Sequence, residues 1–150
     1  MSWNTIYLLA NYWAFAGWAL LAFAPRSPRI LSFVMYAGVF LLCLLYIVLI
    51  TGFLLGGIDP GGQGSGGDFS SLAGVMKLFD TPGGTTMGWV HYLAFDLFTG
   101  MWIARDADAK GFSRTIQGIV LLLVLLAGPS GLLLWLILRE RAARRAARKP

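Results

Sequence analysis

Gly88-Trp89-Val90-His91-Tyr92-Leu93-Ala94-Phe95-Asp96-Leu97-Phe98-Thr99-Gly100-Met101-Trp102-Ile103 reads as the centre of a membrane span, yet it carries the only histidine of the chain and an aspartate. An aspartate near the middle of a spanning helix costs roughly 2.5–3.5 kcal/mol even on insertion-based scales. Residues kept at such a cost face a bundle interior or a wet cavity, which makes Asp96 and His91 the first candidates for a functional site. Packing is the alternative: both side chains would then hydrogen-bond to neighbouring helices and fix their register.

Working outward, the 150 residues are 57% hydrophobic and 13% charged, with a mean hydropathy of +0.70. Soluble domains carry about 25% charged residues, so the class is an integral membrane protein, expected as one domain. The net charge of +5 comes mostly from the last dozen residues. That places it against a membrane surface; no basic groove or nucleic-acid motif is present. Cys43 is the only cysteine, which leaves no internal disulfide and no CxxC redox pair. Ala22-Phe23-Ala24 resembles a cleavage box, but Pro25 follows and no basic region precedes the apolar run. The first segment is therefore expected to be retained as a span, in a bacterial-type cytoplasmic membrane.

A crossing needs about 20 apolar residues, and four stretches qualify: residues 3–23, 30–55, 85–104 and 115–138. Short connections at Pro25–Arg29 and Arg105–Arg114 predict an all-α fold of two antiparallel hairpins. Between them lies a longer loop, Gly56 to Gly84. Its first half is Gly-rich, and Gly62-x-Gly64-x-x-Gly67 within it is a linker, because no strand precedes it and no βαβ unit follows. In its second half Phe69, Leu72, Met76 and Phe79 fall on one helical face behind Asp68, as in a short interfacial helix.

Four crossings put both termini and the long loop on one side. Lys77 and six basic residues from Arg139 to Lys149 make seven there, against five opposite: Arg26, Arg29, Arg105, Lys110 and Arg114. The positive-inside rule then favours cytoplasmic termini. Trp3, Trp89 and Trp135 would form the aromatic belt on that side and Trp102 on the other. The tail 139–150 is read as a topology anchor in the anionic headgroup layer, where each basic residue is worth about 1 kcal/mol.

Counting about 1.5 Å per residue from the termini side puts Asn11, Tyr46, His91, Tyr92 and Ser130 at roughly 10–13 Å depth, with Asp96 nearer the midplane. Pro129 has no N–H and clashes with the carbonyl of Leu125, so the fourth span should kink in the same layer. His91, Phe95, Phe98 and Trp102 share one stripe, while Tyr92 and Asp96 share the next. His91 and Asp96, five apart, point about 140° from each other and can flank one pocket without touching. An imidazole suits proton transfer near neutral pH, and a carboxyl group out of water suits the role of an acid. Di-iron chemistry needs several histidines or Glu-x-x-His pairs, and a retinal Schiff base needs a lysine within a span. The chain has neither. Bis-histidine haem would require a dimer presenting two copies of His91. No cofactor or metal is expected.

Gly88-Trp89-Val90-His91-Tyr92-Leu93-Ala94-Phe95-Asp96-Leu97-Phe98, Trp102-Ile103, Asp106-Ala107 and Gly128-Pro129-Ser130-Gly131 resemble the abscisic-acid-deficient-four-like family of four-span membrane proteins. So do Gly17-Trp18 through Pro25 and Phe69-x-x-Leu72-x-Gly74-Val75-x-x-Leu78-Phe79. The plant member of that family is tied to neoxanthin formation from violaxanthin. What the resemblance implies is an isomerase of a carotenoid or other isoprenoid that opens an epoxide and releases a proton to leave an allene. Asp96 and His91 would act as acid and base with Tyr92 assisting. Asn11, Tyr46, Phe95, Phe98, Trp102, Pro129 and Ser130 would line the substrate groove. A non-catalytic scaffold or lipid-delivery partner is the rival class, and a small dimeric transporter a third. Membrane lipids are expected partners and nucleic acid is not.

Overall fold

The structure, a computed structural model, describes residues 2–55 and 68–147; the Gly-rich half of the long loop, with Gly62, Gly64 and Gly67, and the tail residues Arg148 and Lys149 lie outside them. Among the described residues every regular element is a helix: α1 (Trp3–Phe23), α2 (Pro28–Leu54), α3 (Leu72–Phe79), α4 (Pro82–Ala109) and α5 (Arg114–Ala147). The starts are written in the sequence. Ser2, Ser27, Ser71 and Thr81 each accept a hydrogen bond from a first-turn N–H, and Pro28 and Pro82 follow their caps at positions where a missing N–H is harmless. Asp68 is not the cap of α3. It sits one turn earlier and accepts from the Ser70 and Ser71 amides at 2.8 and 3.2 Å.

Helix α4 is the centre of the molecule and packs on α1, α2, α3 and α5. Small residues let the backbones approach, the means by which helices associate without a hydrophobic drive in lipid. Leu97 fills the space left by both Gly17 of α1 and Gly38 of α2, and the Trp18 ring lies on Gly100. Val34–Phe40 of α2 winds as a π-helix, and the Ala37 carbonyl accepts from Trp13 Nε1 at 2.6 Å. Outward, α1 and α2 show Leu8, Leu9, Phe15, Phe40, Ile47 and Val48. Apolar faces this continuous are foreign to a water-facing surface.

By length and composition, Trp3–Phe23, Pro28–Leu54 and Arg114–Arg141 can cross a membrane. The last does not run straight. Helix geometry breaks at Ala127 (φ −158°, ψ 73°), and the chain turns back on itself. Trp135 Nε1 donates to Asp106 Oδ2 at 3.2 Å, and its ring meets Phe112 at 4.9 Å between centroids. The Arg139 guanidinium lies 5.8 Å from the centre of the Trp102 ring. In a continuous helix Trp135 would stand about 30 Å from the start of α5. Near the turn, a Cβ on Gly131 would come within 2.8 Å of Val124 Cα. Helix α5 is thus a helical hairpin with arms 114–126 and 128–147.

This corrects five expectations. The unbroken span 115–138 is absent, and the second pair of helices is not a simple antiparallel hairpin. Residues 114–126 rise only about 20 Å, short of the ~30 Å hydrocarbon core. The two ends of the described chain lie at opposite ends of the molecule instead of sharing one. Trp135 is fully buried against Asp106 rather than placed in a belt. The expected kink at Pro129 is resolved as a break two residues earlier, which leaves the proline in the first turn of the second arm, where it obstructs nothing.

Candidate functional site

Helix α4 sends His91, Tyr92, Phe95 and Asp96 toward a groove of about 440 Å³ that α2 borders with Tyr46, α5 with Pro129, and the α3 region with Phe69, Leu78 and Phe79. Tight glycine contacts hold the borders in place. Gly84 lies against the Leu78 carbonyl where α3 meets α4, and Gly88 lies beneath the Phe79 ring. Thr85 Oγ1 donates to the Phe79 carbonyl at 2.7 Å.

His91 stands in an aromatic surround, with ring centroids 4.7 Å from Phe95, 5.3 Å from Tyr46 and 6.4 Å from Tyr92. Its ring is exposed to the groove, and neither nitrogen is hydrogen-bonded to the described residues. Asp96 is half-buried and faces the reversal of α5. A Cβ on Gly128 would run into the Asp96 carboxylate, so the glycine is what lets the hairpin tip close on it. Asp96 makes no hydrogen bond to the described residues either. The two groups flank one space without touching, as a separation of five helical residues requires.

Of the ten residues proposed from the sequence, the groove gathers Tyr46, His91, Tyr92, Phe95, Asp96 and Pro129. It does not gather the other four. Asn11 is a packing pin that accepts from Trp89 Nε1 at 3.0 Å and donates to the Tyr7 carbonyl at 2.7 Å. Trp102 lies under Arg139, Phe98 is exposed away from the groove, and Ser130 is exposed beside Pro129. The stripe His91–Phe95–Phe98–Trp102 therefore divides, its first half in the groove and its second half beyond it. Leu78, Gly88 and Gly128 were read only as part of the family resemblance and not as part of a site. An apolar or glycine position carries no chemical signal until its neighbours are known.

A second polar centre was also missed. Arg26, at the α1–α2 corner, donates to the Leu21 carbonyl at 3.3 Å, the Ala104 carbonyl at 3.1 Å, Asp108 at 3.2 Å and Gln117 Oε1. Gln117, 1% exposed, donates to Asp108 at 2.9 Å and to the Phe112 carbonyl at 2.8 Å. Its polarity within an apolar run was the available signal. Asp106 accepts from Trp135 and pairs with Lys110 at 2.5 Å, and Arg139 Nε stands 3.0 Å away but off the hydrogen-bonding direction. Among the described residues, no three of His, Cys, Asp and Glu come together as ligands for a metal.

Residues 5–135 match the model of the family described as ABA DEFICIENT 4-like. The chain belongs to the ABA DEFICIENT 4-like family. No curated protein and no solved structure matches it. Within this family member, every residue bordering the groove lies inside the matched region, as do Ala127, Trp135 and the buried Arg26–Gln117 network. Arg139 and the helix beyond it lie outside.

Proposed function

We propose that this protein is an integral membrane isomerase acting on an epoxidised isoprenoid, with a carotenoid as the substrate class that its family resemblance implies. The carrying observation is that one imidazole and one carboxyl group, neither bonded to the described residues, border the same 440 Å³ groove together with two tyrosines. In the proposed step Asp96 gives a proton to the epoxide oxygen as its C–O bond breaks, and His91 takes a proton from carbon as the new double bond forms. One proton enters and one leaves, so no oxidant or reductant is needed. Tyr92 assists at the oxygen. Phe95 and Tyr46 offer aromatic faces along which a polyene can lie.

The membrane arrangement follows from α4 and α5. Helix α4 is less apolar than α1 and α2 because so much of it faces protein, including Val90, Ala94, Leu97, Met101, Ile103 and Ala104. It crosses as the third span, and α5 enters and leaves on one side as a re-entrant hairpin. Non-helical backbone such as Ala127 is tolerated at that depth where it is enclosed by protein or borders a cavity.

The test is pigment and lipid profiling of a strain lacking the protein, complemented with wild type, Asp96→Asn or His91→Ala. Loss of a general acid or base lowers a rate by typically 10²–10⁴-fold, so each variant should accumulate substrate as the deletion does. A non-catalytic protein that presents the lipid to a partner enzyme would keep its function in both variants, which would remove the isomerase reading.

A further inference from the structure

Away from the groove, at the end of the molecule where Arg26 ties α1 to α4, a second cavity of about 360 Å³ opens between the end of α1 and the first arm of α5. Its polar wall is Arg26 and Arg114, and its apolar wall includes Phe23 and Leu121. The Arg26 side chain is only 4% exposed. Its Nε and Nη1 donate to Leu21, Ala104, Asp108 and Gln117, as described above, while Nη2 has no partner among the described residues. A guanidinium has donors in a planar fork. Here one side of the fork is held by protein, and the other has no protein partner in a residue that borders the cavity. Arg114 also borders the cavity, with no hydrogen bond or ion pair among the described residues. The two charges sense each other: burial pulls the pKa of Arg26 down, Asp108 pulls it up, and Arg114 pulls it down again. The cavity also receives the first turn of α5, whose dipole adds positive potential.

We propose that this cavity binds the phosphate of an anionic phospholipid, held between Arg26 Nη2 and Arg114, with its glycerol and acyl chains against Phe23 and Leu121. Phosphate oxygens match a guanidinium fork in geometry and charge. A lipid is favoured over a soluble phosphate because the remaining wall is apolar and includes the outward-facing Phe23. The site is independent of the isomerase reading and stands or falls separately.

Gly118 makes the test clean. It borders the cavity, and a Cβ there would meet nothing within 4 Å, so Gly118→Leu adds bulk at the cavity wall with no clash at its Cβ. The purified full chain in detergent is titrated with phosphatidylglycerol, phosphatidylcholine or inorganic phosphate, and retained lipid is counted by native mass spectrometry, with helicity by circular dichroism as the folding control. Wild type should retain phosphatidylglycerol well above phosphatidylcholine. Arg114→Gln should lose about fivefold in retention, the effect of one basic residue at a membrane surface (~1 kcal/mol), and Gly118→Leu should lose it as well. Equal retention of both lipids, or full retention in a folded Gly118→Leu, would overturn the proposal. So would displacement of the lipid by an equal concentration of inorganic phosphate.

Discussion

Gly100 of α4 and Gly118 and Gly128 of α5 show how one residue type does opposite things depending on what lies beside it. Gly100 is covered by the Trp18 ring, with Cζ3 2.7 Å from where a Cβ would stand, and Trp18 is itself buried. Neither partner has room to give, so Gly100→Ala should overpack the α1–α4 contact and destabilise the protein by about 1–3 kcal/mol, read as a lower melting temperature in detergent. Gly118 faces open space. Gly118→Ala should leave stability unchanged or raise it by about 0.5–1 kcal/mol, since alanine suits a helix interior better than glycine. Gly128 belongs to the proposed chemistry. A methyl group there meets the Asp96 carboxylate, so Gly128→Ala should displace Asp96 and reproduce the substrate accumulation of Asp96→Asn although the carboxyl group is intact. Normal turnover in Gly128→Ala would argue that the position of Asp96 does not matter.

At the scale of elements, the two features that surround the groove differ in how readable they were. The layer holding Tyr46, His91 and Pro129 follows from counting residues along each helix, because depth depends only on rise per residue. Pro129 falls in that layer for a reason the count does not contain. The midpoint of a long apolar segment reaches mid-membrane whether the chain then continues or turns back. Hydropathy is blind to that choice, since the run Arg114–Arg141 taken as one helix is as apolar as a crossing helix. The signals for reversal were the groups that need partners at the far end: the Trp135 N–H, Gln117 and Asp106. The hairpin predicts that cysteines at 112 and 135, in a Cys43→Ser background, are joined by a short bifunctional thiol reagent within one chain. A straight α5 would hold them about 30 Å apart, and no such product would form. Helix α3 supplies a pH test. Hydrogen bonds from the Ser70 side chain and backbone, with a smaller share from Ser71, hold the exposed Asp68 carboxyl below its ordinary pKa. A lowered carboxyl pKa gives support that is complete above the unfolded value of about 3.9 and fades as the pH falls through the folded value. The Ser70 amide resonance should titrate with a midpoint under ~3.9, and Asp68→Ala should abolish that titration. A midpoint at or above 3.9 would mean that the Asp68 turn does not form in solution.

Across the whole molecule, the reversal of α5 changes the charge balance between the two ends. With α5 folded back, Arg139, Arg141 and Arg144 join Arg26, Arg29, Arg105, Lys110 and Arg114 at one end, and the described residues leave only Lys77 at the other. The near-even count expected for four crossings becomes a strong asymmetry, from which we propose, by the positive-inside rule, that the arginine-rich end faces the cytoplasm. The same end holds the buried Arg26–Gln117 network and the proposed phosphate cavity, so the basic surface, the anchor and the lipid site coincide. The proposed three crossings put the amino terminus on the opposite side from the second arm of α5. A fluorescent protein that matures only in the cytoplasm should therefore be bright when fused after Ala147 and dark when fused before Trp3. Alkaline phosphatase, active only outside, should give the reverse pattern. If both fusions report the same side, the number of crossings is even, α5 spans the membrane, and the contact between the hairpin tip and Asp96 that shapes the groove is lost with it.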